Sequence, residues 1–217
     1  VFTSGNLADN PVLTVDAEAR KALQPVTSFF LSYNREIVNR ADDSVVKAVA
    51  GKVCQIRRSR GYVPEPVALD ADTDGILAFG AEQKNCFCIG TGNQALVGQH
   101  IGDLKGAENY GFYTEAIEKF MKLFRFTPRW LVCDKHPGYR STVYAEQLSA
   151  EKNLPLFRVQ HHHAHVVACM AEHHLNGEVI GVSLDGTGLG DDGHIWGSEF
   201  LIAGRREYER YAHFDYL

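Results

Sequence analysis

An apolar stretch, a polar turn and a second apolar stretch occur at 76–90, and the pattern returns at 179–203. Between the two copies the apolar residues change period. Phe112, Ala116, Phe120 and Leu123 recur at the spacing of one helix face. Helical segments are expected at 112–124, 141–150 and 165–174, interleaved with short apolar runs at 130–133 and 156–159. Strands alternating with helices bury a sheet under helices, which excludes an all-helical or all-strand fold. No window approaches the ~18 apolar residues of a membrane span, so no membrane partner is expected.

Strands are expected at 76–80 and 86–90, joined by a turn at Gln83, Lys84 and Asn85, with a third at 95–101. Strands at 179–184 and 195–203 close the pattern. The order β-β-β-α-β-α-β, then a helix and a second hairpin, is that of one lobe of an actin-like or ribonuclease-H-like ATPase fold. The returning hairpin would open its second lobe.

The first 68 residues read differently. Short strands are expected at 28–31, 45–49 and 53–56, and a helix at 17–23 after Thr14 or Asp16 as N-cap. Pro64 and Pro66 lead into the polar run from Asp70 to Gly75, and that shift marks the boundary. Two domains are therefore expected, 1–68 and 75–217, within 217 residues, against a usual domain size of roughly 150. Both ends fall inside segments that read as structured, so the chain is expected to be a piece of a longer protein.

Lys and Arg number 22 against 27 Asp and Glu, a net charge of -5. That mild acidity argues against holding nucleic acid by bulk charge, and no nucleic-acid partner is expected. The five cysteines are odd in number and form no CxxC pair, which points to a reducing, cytoplasmic compartment rather than a disulfide scaffold.

Histidine is the unusual residue: six of the ten lie between His161 and His174. His161 and His165 are four apart, so a helix sets both rings on one face within reach of one metal ion. Neutral imidazole suits Zn²⁺ or Fe²⁺, and a carboxylate would complete the site. His162 stands where the HExxH proteases have their glutamate base, so that hydrolytic version is not available. Cys169 and His173 continue the four-residue steps with a drift of about 40° each, which leaves a ligand set using Cys169 open. The plain alternative is a solvated, His-rich helix start.

The run from Ser183 to Gly193 lies between two apolar strands. Its glycines allow close backbone approach, so successive N–H groups could form a nest for phosphate oxygens. Asp185, at the strand end, could bind the metal or orient a nucleotide's Mg²⁺. There is no P-loop string, and the plain alternative is a hairpin turn. Earlier in the chain, Thr3-Ser4-Gly5-Asn6, Asp42-Asp43-Ser44 and Arg57-Arg58-Ser59-Arg60 collect hydroxyl, amide and guanidinium groups suited to a triphosphate or carbamoyl phosphate. The loop at 134–139 follows a strand, a usual place for ligand contacts.

TSGN, NREIVNRADDSVV and IRRSRGYVPEP resemble the C-terminal part of a YrdC-like nucleotide-binding domain. GAEQKN, CDKHPGYRST, VQHHHAH and SLDGTGLGDDGHIWGSE resemble the first part of the universal tRNA-modification ATPase-like domain. Together they identify the chain as similar to the HypF family of hydrogenase-maturation carbamoyltransferases. The resemblance implies that carbamoyl phosphate and ATP yield a carbamoyl adenylate. The carbamoyl group would then pass to the C-terminal cysteine of HypE, to become the cyanide ligand of [NiFe]-hydrogenase. It implies that His161, His165 and Asp185 hold a divalent metal, and that Gly186, Thr187 and Gly188 cradle phosphate, with Lys84 and Asn85 assisting. Ser4, Asn6, Ser44, Arg58 and Arg60 would bind nucleotide in the first domain, with Mg²⁺ accompanying ATP. A tRNA threonylcarbamoyl-transfer enzyme and a metal-binding scaffold without catalysis are the competing expectations.

Overall fold

The computed structural model describes residues 5–7 and 10–215. The chain forms two compact units. One comprises the described residues up to Pro66 with Glu82–Cys88 and Leu96–Thr127. The other comprises Val67–Ala81, Ile89–Ala95 and everything from Pro128 onward.

In the first unit, helix α1 (Asp16–Leu23) follows Val15, which is extended and offers no side-chain cap. Neither Thr14 nor Asp16 takes the capping place. Asp16 opens the helix itself, where its carboxylate faces the positive end of the dipole. Strands β1 (Val45–Val49) and β2 (Lys52–Arg57) form an antiparallel hairpin turned at Ala50 and Gly51, both at positive φ. The strand expected at 28–31 is absent. Phe29 and Leu31 are 90% and 103% exposed, and a run whose backbone finds no ladder partner is not a strand. Helix α2 (Ala107–Leu123) buries Phe112, Tyr113, Ala116, Ile117 and Phe120 on one face. It begins five residues before the expected start. Buried Asn109, whose Nδ2 donates to Asp103 O at 2.8 Å, ties that first turn down. Phe87 packs edge-on against Phe120 and Tyr113 beneath it.

Most of the residues of β3 (Val67–Ala68), β4 (Ile76–Ala78), β5 (Cys88–Thr91), β6 (Gln94–Val97), β7 (Trp130–Asp134) and β8 (Leu156–Val159) fall in the second unit, and these strands form a sheet in the order β3-β6-β5-β4-β7-β8. β4, β7 and β8 run parallel, while β3 and β6 are antiparallel. The parallel step from β7 to β8 is made through α3 (Arg140–Lys152), which packs on both and ends at Asn153 in the left-handed conformation. Leu77, Phe79, Ile89, Leu131 and Cys133 are buried in this sheet, and Phe79 meets the edge of Tyr144.

Helix α4 (His161–Glu172) starts at His161, not at 165, because Gln160 caps it: the Gln160 side chain accepts the His163 N–H. A second sheet is fully antiparallel and ordered β13-β12-β9, from β9 (Val179–Ser183), β12 (Glu199–Ala203) and β13 (Tyr208–His213). Between β9 and β12 the chain folds a small separate hairpin, β10 (Gly188–Leu189) with β11 (Ile195–Trp196). The single strand expected at 195–203 is thus two, broken at Gly197 and at Ser198, whose φ is +65°. Val166 and Met170 of α4 pack on Leu201 and Ala203 of β12. Gly181 of β9 permits the approach, since a Cβ there would lie 2.5 Å from Val166 Cγ2. The mixed α/β class expected from the sequence is the one observed. No helix among the described residues is long and apolar enough to cross a membrane, and all five cysteines are free.

Candidate metal centre

Asp134 ends β7, His161 begins α4 two residues after β8, and Asp185 follows β9. The parallel strands therefore deliver the histidine and the first carboxylate at their C-terminal ends, the ligand-binding edge of such sheets. A cavity of about 480 Å³ opens there, lined by Asp134, His161, His163, His165, Cys133 and Arg205 among others.

His161 is held at both nitrogens. Its Nδ1 lies 2.7 Å from Asp134 Oδ2, and Asp134 Oδ1 also accepts the His136 N–H at 2.8 Å. With Nδ1–H donated to Asp134, Nε2 turns its lone pair toward His165 Nε2 at 3.2 Å and Asp185 Oδ2 at 3.1 Å. One donor atom from each of His161, His165 and Asp185 lies within 4.8 Å of the others. Three electron-pair donors at this spacing repel unless a cation or a proton stands between them. Within this cluster the hydrogen bond to Asp134 raises the His161 pKa, while burial and the neighbouring His161 lower that of His165. Asp185 Oδ2 is buried without hydrogen-bond geometry to any partner. An orphaned carboxylate oxygen facing two imidazoles fits a divalent metal of the Zn²⁺ or Fe²⁺ type.

His162 and Gln160 form the inner wall. His162 is fully buried, and burial lowers its pKa. The glycine-rich run is shaped for these rings. A Cβ on Gly188 would lie 2.5 Å from His162 Cε1, and one on Gly190 would lie 2.0 Å from Trp196 Nε1. Trp196 Nε1 donates to Asp192 Oδ1, and Arg210 lies 4.1 Å over the Trp196 ring while donating to Glu199 and Asp192. At the tip of the same hairpin, Asp191 accepts from Lys135 at 2.5 Å and from the Tyr208 hydroxyl.

The structure thus brings together His161, His165 and Asp185. Gly186 and Thr187 beside them are exposed, with open space where a Gly186 Cβ would go, whereas Gly188 is buried under His162. Lys84 and Asn85 belong to the first unit, Lys84 exposed at positive φ and Asn85 buried and bridged to Gly102. In that unit Asn6 and Lys84 line one cavity of about 400 Å³ with Arg57 and His100. Arg58 donates to the carbonyls of Val97, Tyr62 and Glu65, and Arg60 to that of Ala41. Ser44 Oγ donates to Arg60 O and accepts from Ser59 N–H. Ser4 lies outside the described residues. The residue pattern marked the loop that opens at Asp134 but gave Asp134 no part in the histidine site, and it gave none to Gln160, Trp196 or Glu199. The signals were an aspartate ending a strand and an amide immediately before the histidine run.

The sequence matches the family described as the HypF Kae1-like domain over residues 71–172, and the second subdomain of that carbamoyltransferase domain over 181–217. The chain belongs to the HypF family. Residues 1–59 match the Sua5/YciO/YrdC family, described as telomere recombination. A carbamoyltransferase HypF from Synechocystis sp. is 45% identical over 98% of this chain, and one from Rhizobium leguminosarum bv. viciae is 40% identical over 97%. A crystal structure of full-length HypF in a phosphate- and nucleotide-bound form superposes with a TM-score of 0.93 at 46% identity, covering 99% of this chain. HypF of T. kodakarensis gives 0.91 at 40% identity, also over 99% of this chain. The chain spans 28% of the Synechocystis protein, 27% of the Rhizobium protein and 28% of each crystal chain.

Proposed function

We propose that this chain supplies the metal-bearing part, and a portion of the nucleotide-activating part, of an ATP-dependent carbamoyltransferase that works in the cytoplasm. In this reading residues 1–68 belong to a YrdC-like domain that joins carbamate, freed from carbamoyl phosphate with release of phosphate, to the adenylate of ATP with release of pyrophosphate, with Mg²⁺. Residues 75–217 belong to the domain that passes the carbamoyl group from the adenylate to the C-terminal cysteine thiolate of HypE, with AMP as the leaving group. The observation that carries the reading is the convergence of His161, His165 and Asp185 at the strand ends of a family whose members are named carbamoyltransferases. Five free cysteines suit a reducing compartment.

His161, His165 and Asp185 would hold the divalent metal, which supplies Lewis acidity toward a carbamoyl or phosphoryl oxygen. The chain's own groups do the rest. Asp134 accepts the His161 Nδ1–H and so fixes which nitrogen faces the cavity. The exposed backbone of Gly186 and Thr187 is free to approach a phosphate, and Lys84 and Asn85 would contact nucleotide from their own unit. In the first domain Asn6 lines the cavity, while Ser44, Arg58 and Arg60 hold neighbouring backbone through hydrogen bonds.

The test uses a full-length HypF carrying these residues, incubated with carbamoyl phosphate, ATP and HypE, after which HypE is weighed by mass spectrometry. A gain of one carbamoyl group, abolished by removing the terminal cysteine of HypE, is the expected result. No gain, with metal and ATP shown to be bound, overturns the transfer reading in favour of tRNA threonylcarbamoyl transfer or a metal-binding scaffold.

A further inference from the structure

We propose that His162 is a positioning residue that holds the Asp185 carboxylate through its Nε2–H, and that Gln160 fixes the tautomer making this donor available. The proposal rests on the reading of His161, His165 and Asp185 as a cation site, and adds to it a residue that is not a ligand.

Gln160 Oε1 accepts the His163 N–H at 2.9 Å. An amide side chain has one oxygen and one NH₂, so its Nε2 must face the other way. It lies there 3.3 Å from His162 Nδ1 and 3.2 Å from Leu189 O. Leu189 O can only accept, which agrees with the NH₂ placement. His162 Nδ1 then presents a lone pair to that NH₂, and the ring proton sits on Nε2.

That N–H is buried with no hydrogen-bond partner. The carboxylate oxygen it faces is Asp185 Oδ2, at 3.9 Å and likewise without a hydrogen-bond partner. The ring is not free to turn elsewhere. It lies on Gly188, where a Cβ would come within 2.5 Å of Cε1, and beside Trp196 with centroids 5.9 Å apart. A carboxylate oxygen carries two lone pairs. A shift of about 1 Å lets one of them accept from His162. The other stays turned toward His161 and His165. An outer partner of this kind fixes the direction from which a carboxylate meets a cation, and its loss weakens binding without removing the site. The histidine doublet thus divides its work: His161 offers a lone pair to the cavity, and His162 offers a proton to the third ligand.

Two measurements test this on the chain itself. Long-range ¹⁵N–¹H correlation of the metal-free, histidine-labelled protein at neutral pH should show His162 protonated at Nε2 and accepting at Nδ1. A proton on Nδ1 overturns the proposal, and this result depends on no variant. The second measurement is Co²⁺ affinity by competition with a chelator. H162L should keep one site per chain but weaken it by about 10–100-fold, the usual cost of losing an outer-shell partner. H162Q, which restores an N–H donor, should recover most of the loss. Unchanged affinity in H162L overturns the proposal. H161A separates the two ideas: if it binds Co²⁺ like the parent chain, the cation-site reading fails, while the NMR result still decides the His162 tautomer.

Discussion

β1 with β2 and β9 with β12 are both short antiparallel pairs built from valine, isoleucine and their like, and their backbones are equally well laddered. All five residues of β1 and the first five of β2 are exposed. In β12 every second residue is buried, Glu199, Leu201 and Ala203, because α4 covers that face. A ladder fixes register, but only a helix laid across it fixes side chains. Functional groups that must hold sub-ångström positions belong on the second kind of pair, and Asp185 and His161 are attached to it.

Thiol chemistry gives the widest separation between open and covered strands. Cys54 is exposed on β2, whereas burial pushes Cys86 up to about 11 and Cys88 up to about 12. Against an ordinary thiol, the thiolate fraction of Cys88 at pH 8 is smaller by about 1000-fold. Alkylation followed by mass spectrometry should mark Cys54 in minutes and leave Cys88 unmodified until the chain unfolds. Equal labelling would break the comparison.

Stability comes next. L201A removes a fully buried side chain from under α4 and should cost about 2–5 kcal/mol in urea unfolding. V53A on the exposed hairpin should stay within about 0.5 kcal/mol. A comparable loss at both positions would mean that the hairpin is covered in solution.

At the site, D134N keeps the shape but makes a poorer acceptor for His161 Nδ1–H. Calorimetry should show divalent-metal affinity reduced by about 10–100-fold. The smallest effect is on pH dependence without metal. The pKa of His161 is raised by its hydrogen bond to Asp134, so the pairing stabilises the folded state fully below the ordinary histidine value of about 6.5. That contribution fades as pH rises through the folded-state value. The urea midpoint of the parent chain should therefore exceed that of D134N by more at pH 6 than at pH 8.5, and a gap that widens with pH would contradict the assignment.

Much of this was readable in advance, for physical reasons that differ by region. The strand–helix alternation after residue 76 carries its own period, so β4, β7, β8 and α3 fall close to where apolar spacing puts them. The i,i+4 pair His161 and His165 needs only a helix to bring it together, which is why it was visible. The Asp134–His161 contact joins residues 27 positions apart across a strand crossover, and no local pattern encodes that. The start of α4 was missed because Gln160 is not an obvious cap, although its amide satisfies the His163 N–H. The 28–31 run fails for the opposite reason: its apolar residues promised a strand that has no neighbour.

The break at Gly197 and Ser198 sets a tolerance for the whole site. Ser198 N–H donates to Asp185 O at 3.2 Å, and a Cβ on Gly197 would lie 3.0 Å from that same oxygen, so the return strand is stitched to the backbone of a candidate ligand. Sliding β12 by one residue along β9 would displace that stitch by about 3.3 Å. His161 Nε2 stands 3.1 Å from Asp185 Oδ2 and 3.2 Å from His165 Nε2, so one step of misregister is as large as either separation. Strand register in this sheet therefore fixes where the backbone of Asp185 stands relative to the two histidines.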